Sequence, residues 1–160
     1  MRVPIQYPNS LSMPDILRIL HIDTDKTWRG GQQQVFSLIK NLHRLGHINL
    51  LASPPDSALF QRIPPDFCIP HAIPMRSEWD ILSAYRLAQI IRREKPDVIH
   101  AHSGRAHTLG LLGRFFSRQS IHLLVSRRVD FPIRNSFLNR WKYRQADFLL
   151  PISRAIADIL

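Results

Sequence analysis

Cysteine is almost absent from this chain of 160 residues, which contains only Cys68. A single cysteine excludes an intramolecular disulfide and is typical of a reducing compartment such as the cytoplasm. Long apolar runs are also missing, because none approaches the roughly 20 residues that a transmembrane helix needs. The first fifteen residues include three prolines and lack a continuous apolar segment, so they do not have the pattern of a signal peptide. We interpret residues 1–15 as a flexible leader.

Acidic residues are scarce, with 12 Asp and Glu against 22 Lys and Arg, and the formal net charge is +10. A charge of this sign favours anionic partners such as nucleic acid, an anionic membrane surface or a phosphorylated acceptor. No helix-turn-helix, zinc-finger or RNA-binding aromatic signature is present in the sequence, so no specific nucleic acid is predicted. A soluble domain with an ordinary basic surface is the alternative.

Short apolar runs alternate with segments of helical periodicity. The first run, Leu17–Ile22, leads into a polar loop that ends in Gly30 and Gly31, and a helix is predicted from Gln32 to a C-terminal glycine, Gly46. Such βαβ units predict an α/β fold: a Rossmann-like, mainly parallel sheet with helices on both faces, in one domain over residues 16–160. Further strands are predicted at Ile48–Ser53, Cys68–Ile73 (an edge strand), Asp97–His102, Ile121–Ser126 and Asp147–Ser153.

The helical segments also carry predicted buried faces. In the first helix these are Val35, Leu38, Ile39, Leu42 and Leu45. A second helix, Asp80–Glu94, is predicted to bury Ile81, Leu82, Tyr85, Ala88 and Ile91. Other helices are predicted near Ser57–Arg62, at Ala106–Phe116, from about Asn135 and at Arg154–Leu160, the last with Ser153 as its N-cap.

Ligands of open parallel sheets bind at the carboxyl ends of the strands. This rule selects the polar residues that follow each strand: Asp23 to Gly31, His102 to Arg105, Ser126 to Asp130, and Ser153. Two glycines before a helix let a backbone approach a ligand, and free N–H groups at the helix start favour phosphate. A purely structural turn is the alternative. The pattern is not G-x-G-x-x-G, which disfavours a dinucleotide-dependent oxidoreductase.

Three polar groups have competing interpretations. His100 and His102 lie two apart on a strand and face the same way, so with His21 or His107 they could ligate a metal. No cysteine or carboxylate accompanies them at a characteristic spacing, so we predict no metal site and expect a packed or hydrogen-bonded His100. Arg127, Arg128 and Asp130 either bind an anionic acceptor or form an Arg–Asp pair that holds the loop. The basic, aromatic helix from Asn135 either docks on an anionic membrane or contributes to the core.

Four segments in this order, WRGGQQQ, PDVIHAH, SRRVDFP and ADFLLPIS, resemble the N-terminal domain of family-4-type glycosyltransferases of the GT-B fold. The resemblance spans roughly Ile16 to Leu160. It implies a retaining enzyme that moves a sugar from a nucleotide-sugar donor to a cell-envelope glycan or lipid, without a separate cofactor. Gly30 and Gly31 would reach the donor diphosphate, and His102 is the candidate catalytic residue. The implied acceptor-binding residues are Asp25, Arg29, Ser103, Arg105, Arg127, Arg128 and Asp130.

The resemblance departs from the family at two points. Many relatives have a histidine in the loop where this chain has Arg127 and Arg128, so no catalytic histidine is assigned there. Family members also carry a second Rossmann-like domain that binds the nucleotide sugar, and the chain is expected to be a first half truncated before it. Alone it should be inactive, with a separate C-terminal domain as a partner, at the cytoplasmic face of the membrane. The alternative is a non-catalytic basic α/β module that binds anionic lipid or nucleic acid.

Overall fold

The computed structural model describes residues 16–127 and 137–151. The leader, Arg128, Asp130, Ser153 and the last predicted helix lie outside these ranges. The strands are β1 (Arg18–Ile22), β2 (Ile48–Ser53), β3 (Ile69–Ala72), β4 (Val98–Ala101), β5 (His122–Arg127) and β6 (Phe148–Pro151). The helices are α1 (Gly30–Arg44), α2 (Ala58–Arg62), α3 (Ile81–Glu94), α4 (Gly104–Ser117) and α5 (Phe137–Arg144).

All strand pairs in the described sheet are parallel, in the order β3-β2-β1-β4-β5-β6. The chain builds outward from β1 in one direction and then, from β4, in the other, so the topological switch point lies between β1 and β4. In the register of these two strands, His21 lies opposite His100 and Ile22 opposite Ala101. The predicted Rossmann-like α/β class is confirmed, and β3 is the predicted edge strand.

Each face of the sheet has its own apolar layer. Leu20 and Ile22 of β1 pack with residues of α3 and α4, including Leu87 and Leu109. On the opposite face, Leu51 of β2 packs with α1 and α2 and with Cys68. Burial raises the pKa of the Cys68 thiol to about 12, so this cysteine is a core residue that is not poised for thiolate chemistry.

Helix α3 buries only part of the face predicted for it. Ile81, Leu82 and Tyr85 are 54%, 61% and 47% exposed, whereas Ala88 and Ile91 are buried as predicted. The buried stripe instead includes small residues, Ser83 and Ala84, together with Leu87 and Ile90. The reason lies in α4, where Gly113 lets the two helix backbones come close, so that small side chains rather than large ones occupy the contact.

Helix α1 begins two residues earlier than predicted and buries less of its apolar stripe. Val35 and Ile39 are fully buried, but Leu45 is 72% exposed because it is the C-terminal capping residue. Gly46 follows with φ of +87°, the left-handed conformation that favours glycine at this position. The predicted helix end is therefore confirmed.

Candidate functional site

The loop after β1 is held in a fixed shape by Gln32. This residue is buried in the first turn of α1, and its amide nitrogen donates to Asp23 Oδ2 at 3.3 Å and to Asp25 Oδ2 at 3.1 Å. Its Oε1 accepts a hydrogen bond from the Arg29 backbone N–H at 3.2 Å. Asp23 Oδ1 also accepts from the Asp25 N–H at 3.0 Å. Asp25 therefore takes part in the loop's own hydrogen bonding. Gln32, which no sequence pattern singled out, organises the loop.

Gly30 is the first residue of α1, at the edge of the sheet where the strands have their carboxyl ends. We call this edge the rim. The fold itself does not require a glycine at this position. A Cβ added at Gly30 would meet no atom within 4 Å, and its φ lies outside the left-handed region. Gly104, the first residue of α4, is equally open. The space beside the first residue of each helix is therefore open, at the end of a helix where anions bind in many α/β proteins.

Two rim loops are joined at the switch point. Thr24 Oγ1 and Ser103 Oγ lie 2.9 Å apart, and Ser103 Oγ also caps α4 by accepting from the Ala106 N–H at 3.1 Å. The His102 N–H donates to Ile22 O at 3.0 Å. The structure therefore brings the glycine loop and the His102–Arg105 loop into one continuous rim.

The structure describes some of the remaining predicted site residues and not others. Arg29 and Arg105 are exposed and stand at or next to the starts of α1 and α4. Arg127 is the last residue of β5, and the buried Ser126 precedes it. Arg128 and Asp130 lie outside the described residues, so their roles stay predictions.

Three buried histidines, His21, His100 and His102, form a layer beneath this rim. One ring nitrogen from each lies within 4.8 Å of the other two. His21 Nδ1 is 3.0 Å from His102 Nε2, and His100 Nε2 is 2.7 Å from Ser126 Oγ. The prediction of a hydrogen-bonded His100 is confirmed. Burial lowers the pKa of His21 to about 4, against a smaller opposing effect of its Asn49 hydrogen bond, so this imidazole is neutral at pH 7.

His107, the other metal-ligand candidate, is not part of this layer. It lies in α4, with its ring centroid 5.2 Å from that of Tyr143 in α5. Burial, and then the charge of Lys142, lowers the pKa of His107 to about 4. Its place is the contact between α4 and α5.

Lys142 of α5 is buried, so this basic residue does not face an anionic surface, which was one of the two alternatives predicted for the helix. Its Nζ lies 3.0 Å from Glu78 Oε1 and 3.1 Å from Thr108 Oγ1, and it also donates to Gly104 O at 3.4 Å. Thr108 Oγ1 donates to the same Glu78 oxygen at 2.6 Å. Lys142 thus attaches α5 to the start of α4, while Trp141 beside it stays half exposed.

We expect Glu78→Gln to lower the free energy of unfolding by about 1 kcal/mol, because the Glu78 side chain is 45% exposed and solvent weakens the pair. Burial alone would raise the pKa of Glu78, but hydrogen bonds from Thr108 and Lys142 outweigh it and lower the pKa. The carboxylate therefore stabilises the fold above its unfolded pKa and loses this effect as the pH falls.

Urea unfolding at neutral pH and at about pH 3 measures this effect, since the difference between variant and wild type should shrink in acid. Asp56→Asn is the matched control, because Asp56 pairs with Lys26 on the exposed surface and should matter less. An equal loss from both variants would contradict a structural role for the Glu78–Lys142 pair.

The family model for Glycosyltransferase Family 4 matches residues 28–160. The chain belongs to glycosyltransferase family 4. The match includes Gly30 and Gly31, Ser103, and His100 and His102, whereas His21 and Asp23 to Asp25 precede the matched residues. No curated protein sequence matches the chain significantly.

Solved glycosyltransferase structures share the fold of this family-4 domain. HepE (Alr3699) of Anabaena, solved with UDP-glucose, is 17% identical with a TM-score of 0.69, and the alignment covers 89% of this chain and 39% of HepE. A glycosyltransferase of Rickettsia africae is 19% identical with a TM-score of 0.68, over 90% and 38%. MurG of Acinetobacter baumannii is 15% identical with a TM-score of 0.62, over 84% and 41%. The chain thus spans about two fifths of the length of these GT-B structures.

Among the described residues, no helix of this family-4 domain is both long enough and apolar enough to cross a membrane.

Proposed function

We propose that this chain is the acceptor-side half of a retaining glycosyltransferase that moves a sugar from a nucleotide-sugar donor to a cell-envelope glycan or lipid. The observation that carries the proposal is the joined rim at the switch point, where the open N-terminus of α1 lies on the same sheet edge as His102 and Ser103. HepE, which shares the fold, was solved with UDP-glucose.

The proposed roles of the rim residues follow from their chemistry. The backbone N–H groups of Gly30 and Gly31 bind the donor diphosphate, which the positive end of α1 also favours. His102 acts on the reacting sugar. Hydroxyl and charged groups of the acceptor are bound by seven polar or charged residues predicted from the sequence. These are Asp25, Arg29, Ser103, Arg105, Arg127, Arg128 and Asp130.

The direct test is calorimetric titration of UDP-glucose into the chain, alone and with a nucleotide-binding second domain supplied as a separate chain. The donor is bound mainly by that second domain, so we expect no binding by this chain alone and turnover after the domain is added. No donor binding and no turnover after the second domain is added would reject the proposal. Tight, salt-sensitive binding to anionic lipid or nucleic acid in the same preparation would favour a non-catalytic basic module instead.

We expect Gly30→Ala to weaken donor binding in the two-component assay by about tenfold while leaving the fold intact. The added methyl group meets no protein atom within 4 Å but occupies the space through which a diphosphate approaches the N-terminus of α1. Asn41→Ala, an exposed position near the other end of α1, is the matched control. Unchanged donor affinity in Gly30→Ala would exclude a diphosphate at this helix start.

We also propose that the domain works at the anionic inner face of a membrane. Large apolar side chains are exposed on and around α3, α4 and α5, among them Trp79, Leu82, Phe115 and Trp141. Arg92 and Arg118 lie beside Phe115, around a shared surface cavity. Aromatic side chains next to arginines suit an anionic lipid interface.

Sedimentation with vesicles tests this proposal. We expect binding to vesicles that contain anionic lipid and loss of binding in high salt or with neutral lipid, and Trp79→Ser should weaken it more than Gln61→Ser, an exposed polar position of α2. Equal binding to neutral vesicles, or none to either, would reject the membrane role.

A further inference from the structure

We infer that Asn49 and His21 are positioning residues that fix the tautomer of His102, so that His102 carries its proton on Nε2 and its lone pair on Nδ1. The consequence for sugar transfer rests on the proposed function, but the tautomer itself follows from hydrogen bonds that run from β2 across β1 to β4. His21 is opposite His100 in register, and His102 follows β4 directly.

The chain of hydrogen bonds begins at a side chain whose orientation is fixed. Asn49 is buried in β2, and its Nδ2 lies 3.3 Å from Ile39 O and 3.3 Å from Phe67 O. Backbone carbonyls only accept, so both N–H bonds of the amide are directed to them. The amide oxygen therefore faces the third neighbour, His21, and it too can only accept.

The orientation of the Asn49 amide determines which ring nitrogen of His21 carries the proton. Its Nε2 lies 3.2 Å from Asn49 Oδ1, so Nε2 must carry the proton that is donated. Because burial lowers the pKa of His21 to about 4, the ring is neutral at pH 7 and has only one N–H. Its Nδ1 is consequently an acceptor.

His102 Nε2 lies 3.0 Å from this acceptor and must be the donor. The two rings are nearly parallel, with an interplanar angle of 12°, and both are buried. Neutral His102 is thus the Nε2–H tautomer, and Nδ1 is its basic nitrogen. Any hydrogen bond that the neutral His102 ring accepts from a sugar hydroxyl in the proposed reaction is therefore made at Nδ1.

The same three histidines could instead ligate a metal ion. A ligating His21 Nδ1 would direct its lone pair at the ion and could not accept the proton of His102. The observed 3.0 Å separation of the two nitrogens lies in the range of a direct N–H···N hydrogen bond. We therefore favour a hydrogen-bonded relay of Asn49, His21 and His102. Metal binding by the three histidines is an outcome of the test.

The test is a long-range ¹H–¹⁵N correlation spectrum of the ¹⁵N-labelled chain at pH 7, with His21 and His102 assigned through His→Gln variants. A single net hydrogen bond biases a two-tautomer equilibrium by about tenfold. We expect at least that excess of the Nε2–H form in both rings. An Nδ1–H form of His102, or equal populations, overturns the inference.

The tautomer of His102 should depend on Asn49 and His21 and not on the neighbouring His100. In Asn49→Leu and His21→Leu, we expect the excess of Nε2–H in His102 to fall. Ser126→Ala is the matched control, because it removes one hydrogen bond of His100 and none of the bonds that join Asn49, His21 and His102. Asn49→Leu also removes bonds to two backbone carbonyls, so if it fails to fold, the wild-type spectrum and His21→Leu still decide.

Zn²⁺ provides the last arm of the experiment. Unchanged His21 and His102 resonances on addition of Zn²⁺ support the relay, whereas a stoichiometric shift of His21 Nδ1 to a metal-bound position overturns it. None of these readouts needs a nucleotide sugar. If the expected tautomer is found but neither UDP-glucose binding nor turnover appears after the second domain is added, the glycosyltransferase role alone is rejected. If turnover appears but the tautomer is wrong, the relay alone is rejected.

Discussion

Acidification from pH 7 to pH 4 is expected to reduce the free energy of unfolding by about 6 kcal/mol, shared by two buried histidines. Burial, as the main cause in both, lowers the pKa of His21 and of His107 from 6.5 to about 4. Between these pH values the unfolded chain takes up protons that the folded chain does not, so stability falls as the pH falls. Each histidine contributes about 3 kcal/mol by pH 4, and folded domains have only about 5–15 kcal/mol in total.

Urea unfolding at intervals between pH 7 and pH 4 measures this loss, and the histidines can be separated by substitution. His107→Leu should flatten the dependence by about 1.4 kcal/mol per pH unit, because one proton fewer is taken up on unfolding. His43→Gln removes an exposed imidazole of α1 and serves as the matched control. If the free energy of unfolding depends on pH in the same way in wild type and in His107→Leu, His107 is not held neutral in the fold.

The sheet and the location of its rim could be predicted from the sequence because they depend on local signals. Apolar runs separated by helical segments determine a parallel sheet, and the carboxyl ends of its strands then select the loops that hold Gly30 and Ser103. Gly46 marked the end of α1 because only a residue tolerant of positive φ suits that position.

The parts that could not be predicted depend on which distant groups meet. Gln32 looked like a helix residue, and its role comes from Asp23 and Asp25 on the other side of the loop. Asn49 gave no signal because a polar residue in a strand is informative only once its neighbours are known. The burial of Lys142 could not be predicted either, because its partner Glu78 lies 64 residues away in the chain.

The buried face of α3 shows the same limit. Its sequence contains two overlapping helical stripes, and large side chains such as Leu82 and Tyr85 favoured a stripe that the fold buries only at Ala88 and Ile91. The choice is made by α4, whose Gly113 accepts the small face of α3. Hydrophobic size predicts burial only where the partner surface leaves room for it.

Gly113→Leu is therefore expected to be severely destabilising, with a loss of about 3 kcal/mol or more. A Cβ at Gly113 would lie 3.0 Å from Leu87 Cβ and 3.6 Å from Ala84 O. Both atoms belong to or adjoin the α3 backbone, so no side-chain rotation relieves the contact, and α3 and α4 must move apart. Gly113→Ala should cost about 1 kcal/mol, because the gain in helix propensity offsets part of the same strain.

Gly110→Ala in the same helix is the matched control. Its nearest neighbours are side-chain atoms, with Ile22 Cδ1 at 3.2 Å and Ile99 Cγ2 at 3.4 Å. The Ile22 end can yield by a few tenths of an ångström, and helix propensity then favours alanine, so the expected change is near zero. Chemical denaturation of the three variants should rank Gly110→Ala, Gly113→Ala and Gly113→Leu from most to least stable. A Gly113→Leu variant as stable as Gly110→Ala would mean that α3 and α4 are not packed backbone to backbone, and the reason given for the buried face of α3 would then be wrong.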